Sequence, residues 1–302
     1  MGTPTAIERR ELAFAGVAQQ AALVRTGAVT PRELVETTLE RIAELDPRLN
    51  SFRIVFAEEA LREADSAARR VGAGEDLPLL GVPMAVKDDT PFGGQPRVCG
   101  SHAHGEPEPA DAAFVARLRA AGAIVVGITR TPELAAWPFT ETVHGGITRN
   151  PWDLDRTPGG SSGGSGAAVA AALVPGATAS DGAGSIRIPA ACCGLFGLKT
   201  TRGLVPTAPY EAPFGGLTVY GVLTRGVADA ALLYEVASGE PLVAAAANDP
   251  PPLRIALSHR IPAAAPRGST ASGAGRRKRR RSCWHRLATR SSSAIRRSAP
   301  SG

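Results

Sequence analysis

The stretch Asp111-Ala112-Ala113-Phe114-Val115-Ala116-Arg117-Leu118-Arg119-Ala120-Ala121, followed after Gly122 by Ala123-Ile124-Val125-Val126-Gly127-Ile128, decides the fold class. Phe114, Val115 and Leu118 fall on one face of a helix, and the second run is apolar on both faces, as a buried strand requires. Upstream, Leu79-Leu80-Gly81-Val82-Pro83-Met84-Ala85-Val86-Lys87 reads as another buried strand. Apolar strands alternating with helices are the pattern of an α/β protein, with helices covering both faces of a sheet.

Working outward, the N-terminal third reads as helical. Thr30-Pro31-Arg32-Glu33 is a helix start, with Thr30 as N-cap, Pro31 at the first helical position and Glu33 closing a capping box. Leu34, Leu39, Ile42 and Leu45 follow at helical spacing, and Pro47 is expected to stop the run. A second amphipathic helix is expected over Phe56 to Val71, ended by Gly72-Ala73-Gly74. Downstream, a Gly/Ser loop (Gly159 to Gly166) leads into a tightly packed helix over Ala167 to Val174. A short strand at Ala177 to Ser180, a helix at Val227 to Ala237 and a strand at Leu253 to Leu257 complete the expected elements. The segments divide as a helical region (1–75), a core (76–261) and a basic tail (262–302).

Of the 302 residues, 43% are apolar and 21% charged, which excludes wholesale disorder. No apolar run reaches 18 residues, so no membrane helix is expected, and the N-terminus lacks the pattern of a secretory signal. Four cysteines (Cys99, Cys192, Cys193 and Cys283) make no disulfide framework in a chain of this length, and a reduced, cytoplasmic protein is expected. The net charge of +6 belongs to the tail. Between Pro262 and Gly302 there are 10 Arg and one Lys, with no Asp or Glu, which leaves the body mildly acidic. Nucleic acid or an anionic surface is therefore a partner class for the tail alone. Only three residues are lysines: Lys87, Lys199 and Lys278. Where arginine fills the generic positions, a lysine in an apolar segment matters, because lysine can lose its proton and arginine cannot.

Three segments carry the chemistry: Gly81 to Asp89 around Lys87, Thr157-Pro158-Gly159-Gly160-Ser161-Ser162-Gly163-Gly164-Ser165-Gly166, and Ser180-Asp181-Gly182-Ala183-Gly184-Ser185-Ile186-Arg187-Ile188-Pro189-Ala190. Read singly, each has a structural reading: a lysine snorkelling from a strand end, a turn with its cap, a small-residue turn. No Gly-Lys-Ser/Thr closes the loop, so it is not a phosphate-cradling loop. Taken together and in this order, the segments resemble the amidase signature family of serine amidohydrolases. Asn150-Pro151-Trp152, Cys193 to Lys199 and Val227 to Leu233 add to the resemblance, which runs from about Thr30 to Leu257.

The resemblance implies a mixed β-sheet core with helices on both faces and hydrolysis of a carboxylic amide through an acyl-serine. It makes Ser185 the nucleophile, Ser161 the bridging serine after a cis peptide from Gly160, and Lys87 the base. A serine hydroxyl is a weak nucleophile and needs such a base. Backbone amides of Gly182, Ala183, Gly184 and Ser185 are expected to form the oxyanion hole, with Ala183 standing where relatives carry glycine. Asp181 and Arg187 are expected to hold this loop by charge-assisted hydrogen bonds, and Ser162 to share the network. No cofactor or metal is implied. The partner expected is a small-molecule amide, with a homodimer open, or partner subunits if the substrate is glutamine serving a tRNA-dependent amidotransferase.

A hydrolase of another class also fits formally. Gly159-Gly160-Ser161-Ser162-Gly163 matches G-x-S-x-G, with His144-Gly145-Gly146 as an oxyanion motif and Asp229 and His259 in chain order, but no strand is expected before the loop. Family members continue beyond Ile261 with further elements of the acyl pocket, whereas here the arginine-rich tail resembles GC-rich DNA read out of frame. A disordered tail and a truncated, inactive amidase are therefore expected. The alternative is a non-catalytic fragment binding through its basic tail.

Overall fold

Residues 9–102 and 105–249 are described by a computed structural model. Helices α1 (Arg9–Phe14), α2 (Val17–Arg25) and α3 (Pro31–Leu49) come first. The capping box of α3 is formed: Glu33 N donates to Thr30 Oγ1 (3.1 Å) and Thr30 N to Glu33 Oε2 (2.7 Å). Pro47 does not stop this helix. In the last turn its missing N–H forfeits a single bond, and α3 continues to Leu49 before Asn50, in the left-handed conformation at φ 53°, closes it.

The 1–75 segment also supplies a strand, β1 (Phe52–Val55), before α4 (Ala57–Gly72). Strand β2 (Pro83–Lys87) is shorter than expected. Leu79 and Gly81 instead donate their amides to Ala121 and Gly122, tying the turn to the end of α5 (Ala113–Ala120). Next come β3 (Ile124–Thr129), the small hairpin β4 (Glu141–Thr142) and β5 (Gly146–Ile147), α6 (Gly163–Ala170) and β6 (Gly176–Asp181). The described chain ends with α7 (Arg187–Cys193), β7 (Phe196–Gly197), β8 (Val219–Thr224), α8 (Val227–Ser238) and α9 (Leu242–Ala247). The strand expected at Leu253 to Leu257, His259 and the tail lie outside the described residues.

The main sheet is mixed, in the order β1-β3-β2-β6-β8-β7. β2 runs parallel to β3 and β6, while β1, β8 and β7 pair antiparallel to their neighbours. Helices cover both faces, as the fold class requires. Val35 and Ile42 of α3, Ala60 of α4 and Ala168 of α6 pack with Ala85, Val126 and Ala177 on one face. Val17 of α2, Phe114 of α5 and Leu233 of α8 pack with Met84 and Val222 on the other. Met84 and Ala85 thus send alternate side chains to opposite layers.

α6 begins four residues earlier than its alanine run suggests, because the glycines belong to the helix. A Cβ on Gly164 would sit 2.4 Å from Arg130 N and 2.6 Å from Ser51 O, so backbone packs on backbone there and no larger residue fits. The helix is buried from Gly163 to Val169, and Ala172 ends the segment at φ 54°.

Candidate active site

Three parallel strands end along one edge of the sheet, at Lys87, Thr129 and Asp181, and the loops leaving that edge build the site. Such carboxyl ends are where open α/β sheets form their crevices. Lys87 is the last residue of β2 and is fully buried; its own N–H donates to Thr178 Oγ1 (2.8 Å). Its Nζ lies 2.8 Å from Ser161 Oγ, 2.7 Å from Ser180 Oγ and 2.8 Å from Asp89 Oδ2. Three partners match the three N–H groups of an ammonium. In the neutral amine two of them remain hydrogen-bond acceptors, and the nitrogen lone pair is free to take a hydroxyl proton from Ser161.

Ser161 is buried and locked from both sides. The Gly160–Ser161 peptide is cis, and a Cβ on Gly160 would meet Trp137 O at 2.5 Å and Phe139 N at 2.7 Å, so only glycine fits. The Ser161 carbonyl accepts the Thr131 hydroxyl (2.8 Å), and the Gly159 carbonyl accepts that of Thr140 (2.9 Å). Ser162 links this loop to the next: its N–H donates to the Ser185 carbonyl (3.3 Å), and its Oγ accepts from Ser180 N (3.4 Å).

The loop after β6 is organised by one carboxylate. Asp181 Oδ1 accepts from Gly184 N (2.7 Å) and Arg187 Nη2 (2.9 Å), while Oδ2 accepts from Arg187 Nε (2.9 Å) and Ile186 N (3.2 Å). Burial works against the charged form, but Arg187 and the two amides outweigh it and hold the Asp181 carboxyl below its ordinary range. This arrangement corrects one expectation. The Gly184 amide, expected in the oxyanion hole, is already taken by Asp181, and Gly184 itself turns the chain at φ 124°. The N–H groups of Gly182, Ala183 and Ser185 have no hydrogen-bond acceptor among the described residues. All three residues line the same cavity of about 750 Å³ as Ser161, Ser180 and Asp89.

Ser185 is half-buried on the wall of that cavity, and no hydrogen bond joins its hydroxyl to Ser161. The structure therefore brings Lys87 and Ser161 into direct contact and places Ser185 beside them, held by the Ser162–Ser185 backbone bond. Cys99 also lines the cavity, but burial and then the Asp89 carboxylate push its thiol up to about 12, so it presents no thiolate nucleophile at neutral pH.

The rival triad is not assembled. Asp153 to Pro158 forms no strand ahead of Ser161, and Asp229 accepts the Ala18 amide (3.0 Å) at the start of α2. His144 sits on the β4–β5 hairpin against His102. Among the described residues no cluster of three or more His, Cys, Asp or Glu is arranged to hold a metal ion. No described helix is long and apolar enough to cross a membrane.

Sequence reasoning gives no role to two residues of the site, Asp89 and Ser180, although both stand inside its motifs. The signal is there for Asp89, two residues past Lys87 and pointing back to it; Ser180 becomes a neighbour of Lys87 only through the β2–β6 pairing.

Replacing Asp181 with asparagine should loosen this loop. An amide nitrogen would face donors on whichever oxygen it replaced, leaving buried N–H groups unpaired, and a loss of about 2–4 kcal/mol is expected in denaturant unfolding at neutral pH. Because the folded-state carboxyl titrates below its unfolded value, its stabilisation is present at neutral pH and disappears as pH falls through the acid range, so the deficit of the variant should shrink there.

A mixed-sheet α/β protein that places a buried lysine, a serine after a cis peptide and a second serine at one sheet edge defines a class of serine-hydrolase-like sites. The chain belongs to the amidase family, whose model matches residues 33–263. It is 51% identical over 261 residues to a protein of Mycobacterium tuberculosis assigned as amidase AmiB2, covering 85% of this chain and 56% of that protein. It is 47% identical over 219 residues to a glutamyl-tRNA(Gln) amidotransferase subunit from Halorhodospira halophila, covering 72% and 45%. Among solved structures it is similar to a bacterial aryl acylamidase of the amidase signature enzymes, with TM-score 0.71 and 32% identity over 82% of this chain and 51% of that one. The chain spans about half the length of the curated relatives it matches.

Proposed function

We propose that this site hydrolyses a carboxylic amide through an acyl-serine intermediate. The observation that carries the reading is a fully buried Lys87 whose Nζ lies 2.8 Å from Ser161 Oγ, beside Ser185 on one cavity. Ser185 Oγ attacks the amide carbon and passes its proton to Ser161, whose own proton moves to Lys87. The N–H groups of Gly182, Ala183 and Ser185 face the developing oxyanion, a contribution worth several kcal/mol of barrier. As the C–N bond breaks, the proton returns through Ser161 to the leaving nitrogen, and water then releases the acid by the same route. Asp181, Arg187 and Ser162 keep the two loops in register. Trp137 and Phe214 give the cavity an apolar wall suited to the hydrocarbon part of an acyl group.

A second reading uses the same three residues on glutamine, with the ammonia passed on to partner subunits; it is supported by the similarity to the amidotransferase protein of Halorhodospira halophila. The reading includes a cytoplasmic location, supported by the free thiols of Cys99, Cys192 and Cys193.

The test is ammonia or amine release from a panel of aliphatic amides, aryl amides and glutamine by the purified chain. Release from simple amides is the result this reading of the site predicts, and it would overturn the expectation of an inactive chain. Glutamine turnover confined to mixtures with partner subunits would favour the second reading, and no release from any amide while Ser185 still accepts an acylating probe would remove hydrolysis and keep the nucleophile.

A further inference from the structure

We propose that Asp89 is a positioning residue for this reaction, holding Lys87 Nζ against Ser161 and supplying the counter-charge as Lys87 takes up the proton. The inference rests on the reading of Lys87 as the proton acceptor. Asp89 Oδ2 lies 2.8 Å from Lys87 Nζ and also accepts the Ser180 hydroxyl. One carboxylate oxygen therefore fixes both the lysine and the serine that flanks it. The Asp89 side chain is 13% exposed and reaches the wall of the Ser185 cavity, so little water competes for the pair.

The surrounding charges are otherwise occupied. Asp88, next in the chain to Lys87, turns away to Arg53 (2.8 Å) and to the Gly100 amide (3.2 Å). Arg97, which also lines the cavity, is paired with Glu108 (3.3 Å) and lies over the Tyr210 ring. Arg187 is committed to Asp181 at the end of β6. Cys99 and, from β8, Tyr220 face the same space, and burial raises both, which keeps them uncharged at neutral pH. Among the described residues Asp89 is the only carboxylate in contact with Lys87.

The proton balance gives this contact its role. During acylation the Ser185 proton goes to Ser161 and the Ser161 proton to the Lys87 lone pair, while the bond from Ser185 Oγ to the acyl carbon forms. A positive charge thus appears on Nζ in a water-poor pocket, and the ammonium's three N–H groups meet Ser161, Ser180 and Asp89. When the C–N bond breaks, the proton leaves again through Ser161 to the departing nitrogen. A carboxylate at hydrogen-bond distance stabilises the charge that appears on Nζ during acylation.

Asp89→Asn keeps the shape and removes the charge. At the pH plateau kcat should fall about 10- to 100-fold with KM changed less than about threefold, because the contact is made to Lys87 and not to substrate. The acid limb of the pH–rate curve should move to lower pH, since Nζ no longer has its counter-charge. Asp89→Glu, which keeps the charge, should recover most of kcat and leave the limb in place. Asp89→Ser offers the same neutral test with a smaller side chain should the asparagine variant misfold, as judged by its unfolding midpoint. An unmoved acid limb in the folded neutral variants, wild-type kcat in them, or equal losses in Asn and Glu would overturn the proposal. Ser185→Ala is the reference. If it too keeps turnover, the acyl-serine reading fails; if it is dead while the neutral Asp89 variants match wild type, this inference alone fails.

Discussion

Ser185→Ala is expected to abolish formation of an acyl-enzyme and to lower amide turnover by roughly 10⁴-fold or more, the scale on which removal of a catalytic serine acts. The structure makes this a clean experiment. The Ser185 hydroxyl is half-buried, makes no hydrogen bond to Ser161 and faces the cavity, so stability should stay within about 0.5 kcal/mol of the parent. The Ser185 amide is backbone, and its proposed place in the oxyanion hole survives the substitution. A fluorophosphonate probe followed by peptide mapping reads the result directly: label on Ser185 in the parent and none on the variant. Label on Ser161 in the parent, with Ser185 clean, would return the chemistry to a nucleophile-elbow reading. That reading would then have to explain how Ser161 attacks while its hydroxyl lies 2.8 Å from a buried lysine and its backbone is pinned by Thr131.

The residues that were legible in the sequence are those whose roles are local. The capping box at Thr30 and Glu33, the apolar run of β3 and the strand around Met84 to Lys87 are determined by neighbours in the chain, and each forms, although β2 begins only at Pro83. What was not legible depends on contacts distant in sequence. β8 carries a β-branched and aromatic run, yet Gly221 interrupts it; the glycine is required because Tyr234 Oη would lie 2.5 Å from a Cβ there. Strand β1 is four residues between two long helices and exists because β3 pairs with it. In the site, Lys87, Ser161 and Ser185 lie in segments whose order and spacing mark them. The fate of the Gly184 amide is set by where Asp181 points, and the Lys87 contact to Ser180 by how β2 meets β6. No one-dimensional pattern encodes either geometry.

Lys87 is where the mechanism is most exposed to test. Lys87→Ala should lower kcat by about 10²- to 10⁴-fold, the range for a missing general base, and Lys87→Arg should be nearly as damaging. An arginine is permanently charged and has no lone pair to accept the Ser161 proton. It is also too large for the site, since Nζ already touches Ser161 and Ser180 at 2.8 and 2.7 Å and the side chain is fully buried. Lys87→Met separates these causes, because it matches the length of the side chain, carries no charge and cannot take a proton. If the proton relay is right, methionine loses turnover as severely as arginine while unfolding at a similar or higher denaturant concentration, because the burial of a charge has gone along with its function. His144→Ala, on the β4–β5 hairpin, supplies the control and should leave turnover within about twofold of the parent, as surface changes remote from the chemistry do. Steady-state kinetics and probe labelling of the four proteins decide the matter. Full turnover in Lys87→Met, or its loss in His144→Ala alone, would mean that the proton leaves Ser185 by another route and that the buried lysine serves only to pin the two serine loops together.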